Sequence, residues 1–62
     1  MKLEFDTHAD AAYLEISDEE IENTREIEPG VIVDYDAAGH IVGIEILSIS
    51  KRNMPKPMKA AA

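Results

Sequence analysis

Leu3 and Phe5 alternate with Lys2, Glu4 and Asp6, and Ala12, Leu14 and Ile16 alternate with Tyr13 and Glu15. A period of two marks strands with one buried face, so residues 2–16 read as two strands joined by Thr7-His8-Ala9-Asp10. With that loop Phe5 pairs with Ala12 and Leu3 with Leu14; a one-residue slip would scatter the apolar side chains over both faces. The pattern repeats with Val31, Val33 and Tyr35 before Asp36-Ala37-Ala38-Gly39, and Val42, Ile44 and Ile46 after it. Asp opening and Gly closing suit a turn that ends in a left-handed residue, and a four-residue loop sets Val33 opposite Val42 and Val31 opposite Ile44. The expected fold class is mainly β: a small antiparallel sheet of two β-hairpins. Its core face is expected to carry Leu3, Phe5, Ala12, Leu14, Ile16, Val31, Val33, Tyr35, Val42, Ile44 and Ile46.

The segments between and after the hairpins complete the picture. Ser17-Asp18-Glu19-Glu20 reads as an acidic loop, or as the cap of a single helical turn whose N-terminus the acids favour. Thr24–Ile27 reads as a short edge strand entering a Pro29-Gly30 turn, where Pro fixes φ at one corner and Gly permits positive φ at the next. After Ile46 the alternation fails, because Leu47 and Ile49 take the parity of Gly43 and Glu45. They are expected either to start a short C-terminal helical turn over the sheet or to meet another subunit. Ile32 and Ile41 fall on the second face. From Asn53 onward, Pro55 and Pro57 forbid helix and central strand, so the organisation is one domain, 1–52, and a flexible Pro/Lys/Met/Ala tail, 53–62.

Length sharpens the question of support. A chain of 62 residues buries only about 60% of its unfolded surface, and such domains rely on disulfides, a structural metal or oligomerisation. There is no cysteine, and His8 and His40 have no companions at zinc spacing. Oligomerisation, as a homodimer, is therefore the expected support, and no cofactor is expected.

Charge then limits the partners. All thirteen carboxylates lie in residues 1–50 with only Lys2 and Arg25 as bases, giving −11, while Lys51, Arg52, Lys56 and Lys59 give the end of the chain +4. An acidic body repels phosphate backbones and is a poor nucleic-acid binder; a basic protein partner suits it. Acids at Glu4 and Asp6 stand where a secretory signal needs an apolar run, and no segment has the apolar length of a membrane span. A cytoplasmic protein with no membrane partner is the expectation.

Candidate chemistry is sparse. His8 with Asp6 and Asp10, and His40 beside Asp36, are the residues a metal-dependent or hydrolytic enzyme would use, but the same residues are common turn formers. Asp34-Tyr35-Asp36 with Gly39 has the start of a calcium loop without the Glu that closes one. The partner-binding candidates are Glu19, Glu20 and Glu22 in the acidic stretch that continues to Glu26 and Glu28, the second-face aliphatics Ile32, Ile41, Leu47 and Ile49, and the tail methionines Met54 and Met58.

Two strings carry a resemblance: Thr24-Arg25-Glu26-Ile27-Glu28-Pro29-Gly30-Val31-Ile32-Val33-Asp34-Tyr35-Asp36, and Gly39-His40-Ile41-Val42-Gly43-Ile44-Glu45-Ile46-Leu47. Together with Phe5-Asp6, Asp10-Ala11 and Tyr13-Leu14, they resemble the DUF2283 family of short prokaryotic proteins over most of residues 2–51. The resemblance implies a compact β-rich domain and, for its surroundings, pairs of small proteins that look like toxin and antitoxin. It carries over no catalytic residues, and the tail after Arg52 departs from its pattern. The leading expectation is thus a non-enzymatic, antitoxin-like interaction module that binds a basic, toxin-like protein. A small enzyme built on His8 or His40, and a purely structural dimer component, are the alternatives.

Overall fold

The computed structural model describes residues 1–52. They form five antiparallel strands, β1 (Lys2–Asp6), β2 (Ala11–Glu15), β3 (Asn23–Glu28), β4 (Val31–Tyr35) and β5 (Ile41–Ile46), followed by a 3-10 turn, Ile49–Lys51. The sheet order is β1-β2-β5-β4-β3. The fold is mainly β, as the alternation predicts, and the expected edge strand and helical turn are both present. Met54, Met58 and the expected tail lie outside the described residues.

The first hairpin has the predicted register, Leu3 opposite Leu14 and Phe5 opposite Ala12. Its loop closes because the Asp6 carboxylate accepts the backbone N–H groups of His8 and Ala9, both at 3.0 Å, while Asp10 takes the left-handed conformation at φ 54°, which Asp tolerates better than most side chains.

The second hairpin departs from the expected register by two residues. Val33 faces Ile44 and Val31 faces Ile46, not Val42 and Ile44. The Asp36 side chain explains the longer turn: its Oδ1 accepts the N–H groups of Ala38 and His40 at 2.9 Å, and its own N–H donates to the His40 carbonyl. A β-bulge then sets Ile41 and Val42 together opposite Tyr35. A shift of two preserves the face of every residue beyond the bulge, so Ile44 and Ile46 stand on the expected side. Ile41 does not: it shares the face of Tyr35 rather than that of Ile32.

The two hairpins join through β2 and β5, with Ala12 opposite Ile46 and Leu14 opposite Ile44. The link from β2 to β3 is irregular chain with a bend at Glu19, without the expected helical turn. Ile16 and Ser17 donate to the Val42 carbonyl and Glu22 to that of Tyr35, which leaves Asp18 to Glu22 exposed.

The expected core is a face without a lid. Val33 and Val42 are buried at 2% and 3% exposure, and Ala11 and Ala12 are buried too, but Leu3 is 56% and Phe5 66% exposed. The described residues form a single layer, so only side chains near the sheet centre gain neighbours on all sides. Fully burying one valine contributes on the order of 1.5–3 kcal/mol, and this core holds only two.

The chain after β5 stitches the other end together. The Leu47 N–H donates to the Gly30 carbonyl, and Gly30 sits at φ 81°, as the Pro-Gly turn requires. Ile49 N–H donates to the Asp10 carbonyl, while Ser50 gives its N–H and hydroxyl to the two Asp10 carboxylate oxygens at 3.0 and 2.7 Å. Arg52 reaches Glu28 at 3.0 Å. Because Asp10 serves both the loop conformation and this clasp, Asp10→Ala is expected to cost about 2–3 kcal/mol in urea unfolding. Asp10→Gly, which relieves the backbone but not the lost bonds, is expected to cost about 1 kcal/mol, with amide exchange at Ile49 and Ser50 accelerated in both.

Candidate functional site

Directly opposed residues in an antiparallel sheet share a face, and the registers sort this sheet's side chains into two sets. One face carries the aliphatic residues described above. The other carries Lys2, Glu4 and Asp6 from β1, Ala11, Tyr13 and Glu15 from β2, Gly43 and Glu45 from β5, Ile32 and Asp34 from β4, and Thr24 and Glu26 from β3. Six of these are carboxylates. The single base, Lys2, lies 3.5 Å from Glu4.

A polar brace runs through the middle of the acidic face. The Tyr13 hydroxyl donates to Asp34 Oδ2 at 2.8 Å and the Thr24 hydroxyl to Asp34 Oδ1 at 2.7 Å, linking β2, β4 and β3. The tyrosine reaches Asp34 by lying across Gly43 of β5, where any Cβ would collide with its hydroxyl and ring. Glycine inside a strand otherwise weakens it; here it admits the aromatic ring. Burial, then the hydrogen bond to Asp34, then the charges of Asp34, Glu15 and Glu45 push the Tyr13 phenol up to about 12. The hydroxyl is therefore a fixed neutral donor, unsuited to accept a proton near neutral pH.

Beside the brace, at the β1–β2 loop, a shallow open hollow is lined by Glu4, Asp6, His8, Tyr13 and Glu45 among others. His8 thus borders an acidic surface, but the Asp6 and Asp10 carboxylates are turned to backbone N–H groups and Ser50. His40 Nδ1 is 4.0 Å from Asp36, at the far side of the second hairpin's turn. Among the described residues no three His, Cys, Asp or Glu side chains gather as a metal cluster would, and Asp34, placed by its spacing in a calcium-like string, is occupied by Tyr13 and Thr24.

The residue pattern that builds this brace lies within a recognised family. A family model described as a protein of unknown function, DUF2283, matches residues 2–50. The chain belongs to the DUF2283 family. No curated protein and no solved structure matches it significantly. No helix among the described residues is long and apolar enough to cross a membrane.

In this DUF2283 chain the partner-binding candidates do not form one site. Glu19, Glu20 and Glu22 are exposed on the β2–β3 crossing. Ile32 is half-buried on the acidic face between Glu45 and Glu26, Ile41 belongs to the apolar face, and Leu47 and Ile49 are half-buried in the C-terminal clasp. Sequence reasoning missed Tyr13, Thr24, Asp34 and Gly43 as a group. Gly43 in the middle of an otherwise β-branched strand was the available signal.

Two outcomes follow for the brace. Because the folded chain pushes the Tyr13 phenol up to about 12 from its usual 10, its contribution to stability is complete below pH 10 and is lost as pH rises toward 12. Absorbance titration is expected to show one tyrosine ionising near pH 12, absent in Tyr13→Phe, which also flattens the alkaline fall in unfolding midpoint. Gly43→Ala is expected to cost about 1–3 kcal/mol by forcing the ring off Asp34. In a Tyr13→Ala background, a double-mutant cycle by urea unfolding should show most of that cost gone.

Proposed function

We propose that this chain is a non-enzymatic protein-interaction module whose acidic sheet face receives a basic protein partner. The observation that supports this reading is the sorting of charge: six carboxylates and one lysine on one face of a single-layer sheet, with an aliphatic face behind it. Carboxylates at this density speed the association of a cationic partner, and the −11 carried by residues 1–50 exceeds the net charge of roughly 2–8 that solubility calls for. The hollow lined by Glu4, Asp6, Glu45 and the Tyr13 ring has the chemistry to seat a guanidinium, which pairs with carboxylates in a fork and stacks on aromatic faces. An antitoxin-like role, with a basic toxin-like protein as the partner, is the specific form of this reading that the family likeness brings in.

The test uses an arginine-rich and a lysine-rich peptide of equal length and charge. The arginine peptide is expected to bind more tightly, and both are expected to weaken as ionic strength rises from about 0.01 M to about 0.15 M, over which the screening length falls from about 30 to about 8 Å. Glu4→Gln with Glu45→Gln is expected to lower arginine-peptide affinity about 10-fold. Absence of binding at both salt concentrations would refute the proposal, as would binding that the double variant leaves unchanged.

A further inference from the structure

We infer that the aliphatic face of the sheet is covered by a second copy of this chain, two sheets packing face to face as a homodimer. The occupant is argued from three features. The first is area. Phe5, Leu3, Ile27 and Ile41 are 66, 56, 57 and 41% exposed; Phe5 and Leu3 stand on this face directly, Ile27 is the extra residue of the β3 bulge between Glu26 on the acidic face and Glu28 opposite Val31, and Ile41 is set opposite Tyr35. These four side chains expose on the order of 400 Å², and the half-buried aliphatics between them raise that to roughly 600 Å² per copy. Two copies would remove about 1,200 Å² from water, the lower end of the range of stable interfaces.

The second feature is charge. Among the described residues, the strands carry charge onto the apolar face at its β3 rim, where Arg25 lies opposite Val33 and Glu28, paired with Arg52, lies opposite Val31. With Glu28 neutralised by Arg52, Arg25 is left as one net charge per copy at the solvent-screened edge, too little to oppose the face meeting itself, and a polar rim around an apolar centre is the anatomy of protein interfaces. Packed sheets lie about 10 Å apart, and face-to-face pairing turns both acidic faces outward, leaving each open to a basic partner. The third is the deficit of the single chain, in which the buried hydrophobic side chains among the described residues are two valines and two alanines. A symmetric pair supplies the missing layer to both copies at once, as β-sandwiches do with two sheets.

Sedimentation equilibrium of the full chain is expected to give twice the chain mass, with a melting temperature that rises with protein concentration. Leu3→Lys with Phe5→Lys alters side chains that are more than half exposed in the single chain, so folding is retained by circular dichroism while the dimer dissociates at least 10-fold more readily. Glu15→Gln, on the opposite face, leaves the mass unchanged. If the double variant fails to fold, the concentration dependence of the unaltered chain's melting temperature decides the matter. A monomeric mass with a concentration-independent melting temperature overturns the inference, as does a dimer that the double variant leaves intact. A monomer that still binds the arginine peptide would overturn this inference and leave the acidic-face reading standing, whereas a dimer that binds neither peptide would do the reverse.

Discussion

Side chains leave a β-sheet on two sides, and about fifty described residues make five short strands with nothing left over for a second layer. That geometric limit governs the rest of the molecule. Half of the alternating positions must face water or a partner whatever their chemistry, so the sequence separates them into an aliphatic set and an acidic set. The valines at the centre are buried because neighbouring strands flank them; the leucine and phenylalanine of the edge strand β1 have neighbours on one side only and stay open.

Where burial is scarce, hydrogen bonds fix the geometry. Each loop is closed by a carboxylate that accepts nearby backbone N–H groups, Asp6 in the first hairpin and Asp36 in the second. Asp10 and Arg52 tie the C-terminal turn to both hairpin ends, and Tyr13, Asp34 and Thr24 tie strands across the acidic face. Much of the negative charge is therefore structural at its origin. Asp6, Asp10 and Asp36 supply acceptors that backbone donors need, and of the bonded carboxylates Asp6 and Asp34 also belong to the acidic face.

Much of this was legible from residue order alone, for physical reasons that differ by element. The first hairpin was readable because its loop has few workable lengths once Leu3 and Phe5 must share a face with Ala12 and Leu14. The second was readable in its face but not its register: the Asp36 side chain organises a longer turn, and the bulge at Ile41 and Val42 absorbs the odd residue. Period-two arguments detect the parity of a shift and miss a shift of two, so they place Ile44 and Ile46 on the observed face and Ile41 on the opposite one. The aliphatic face was identified, but its openness was not, because alternation reports which side a residue takes and says nothing of what lies over it. The brace and the clasp were not legible. Each joins residues 21 or 40 positions apart, and only the strand order, with β5 between β2 and β4, brings them together.

That order also has a temporal side. Of the described strands the innermost is the last to be synthesised, since β5 follows both β1–β2 and β3–β4 in the chain and yet lies between them. Until Ile41–Ile46 leaves the ribosome, β2 and β4 each present an unpaired inner edge, and neither hairpin has a partner that would make it independently stable. Closure of this sheet therefore waits on Ile41–Ile46, the strand that fills the gap between two waiting edges.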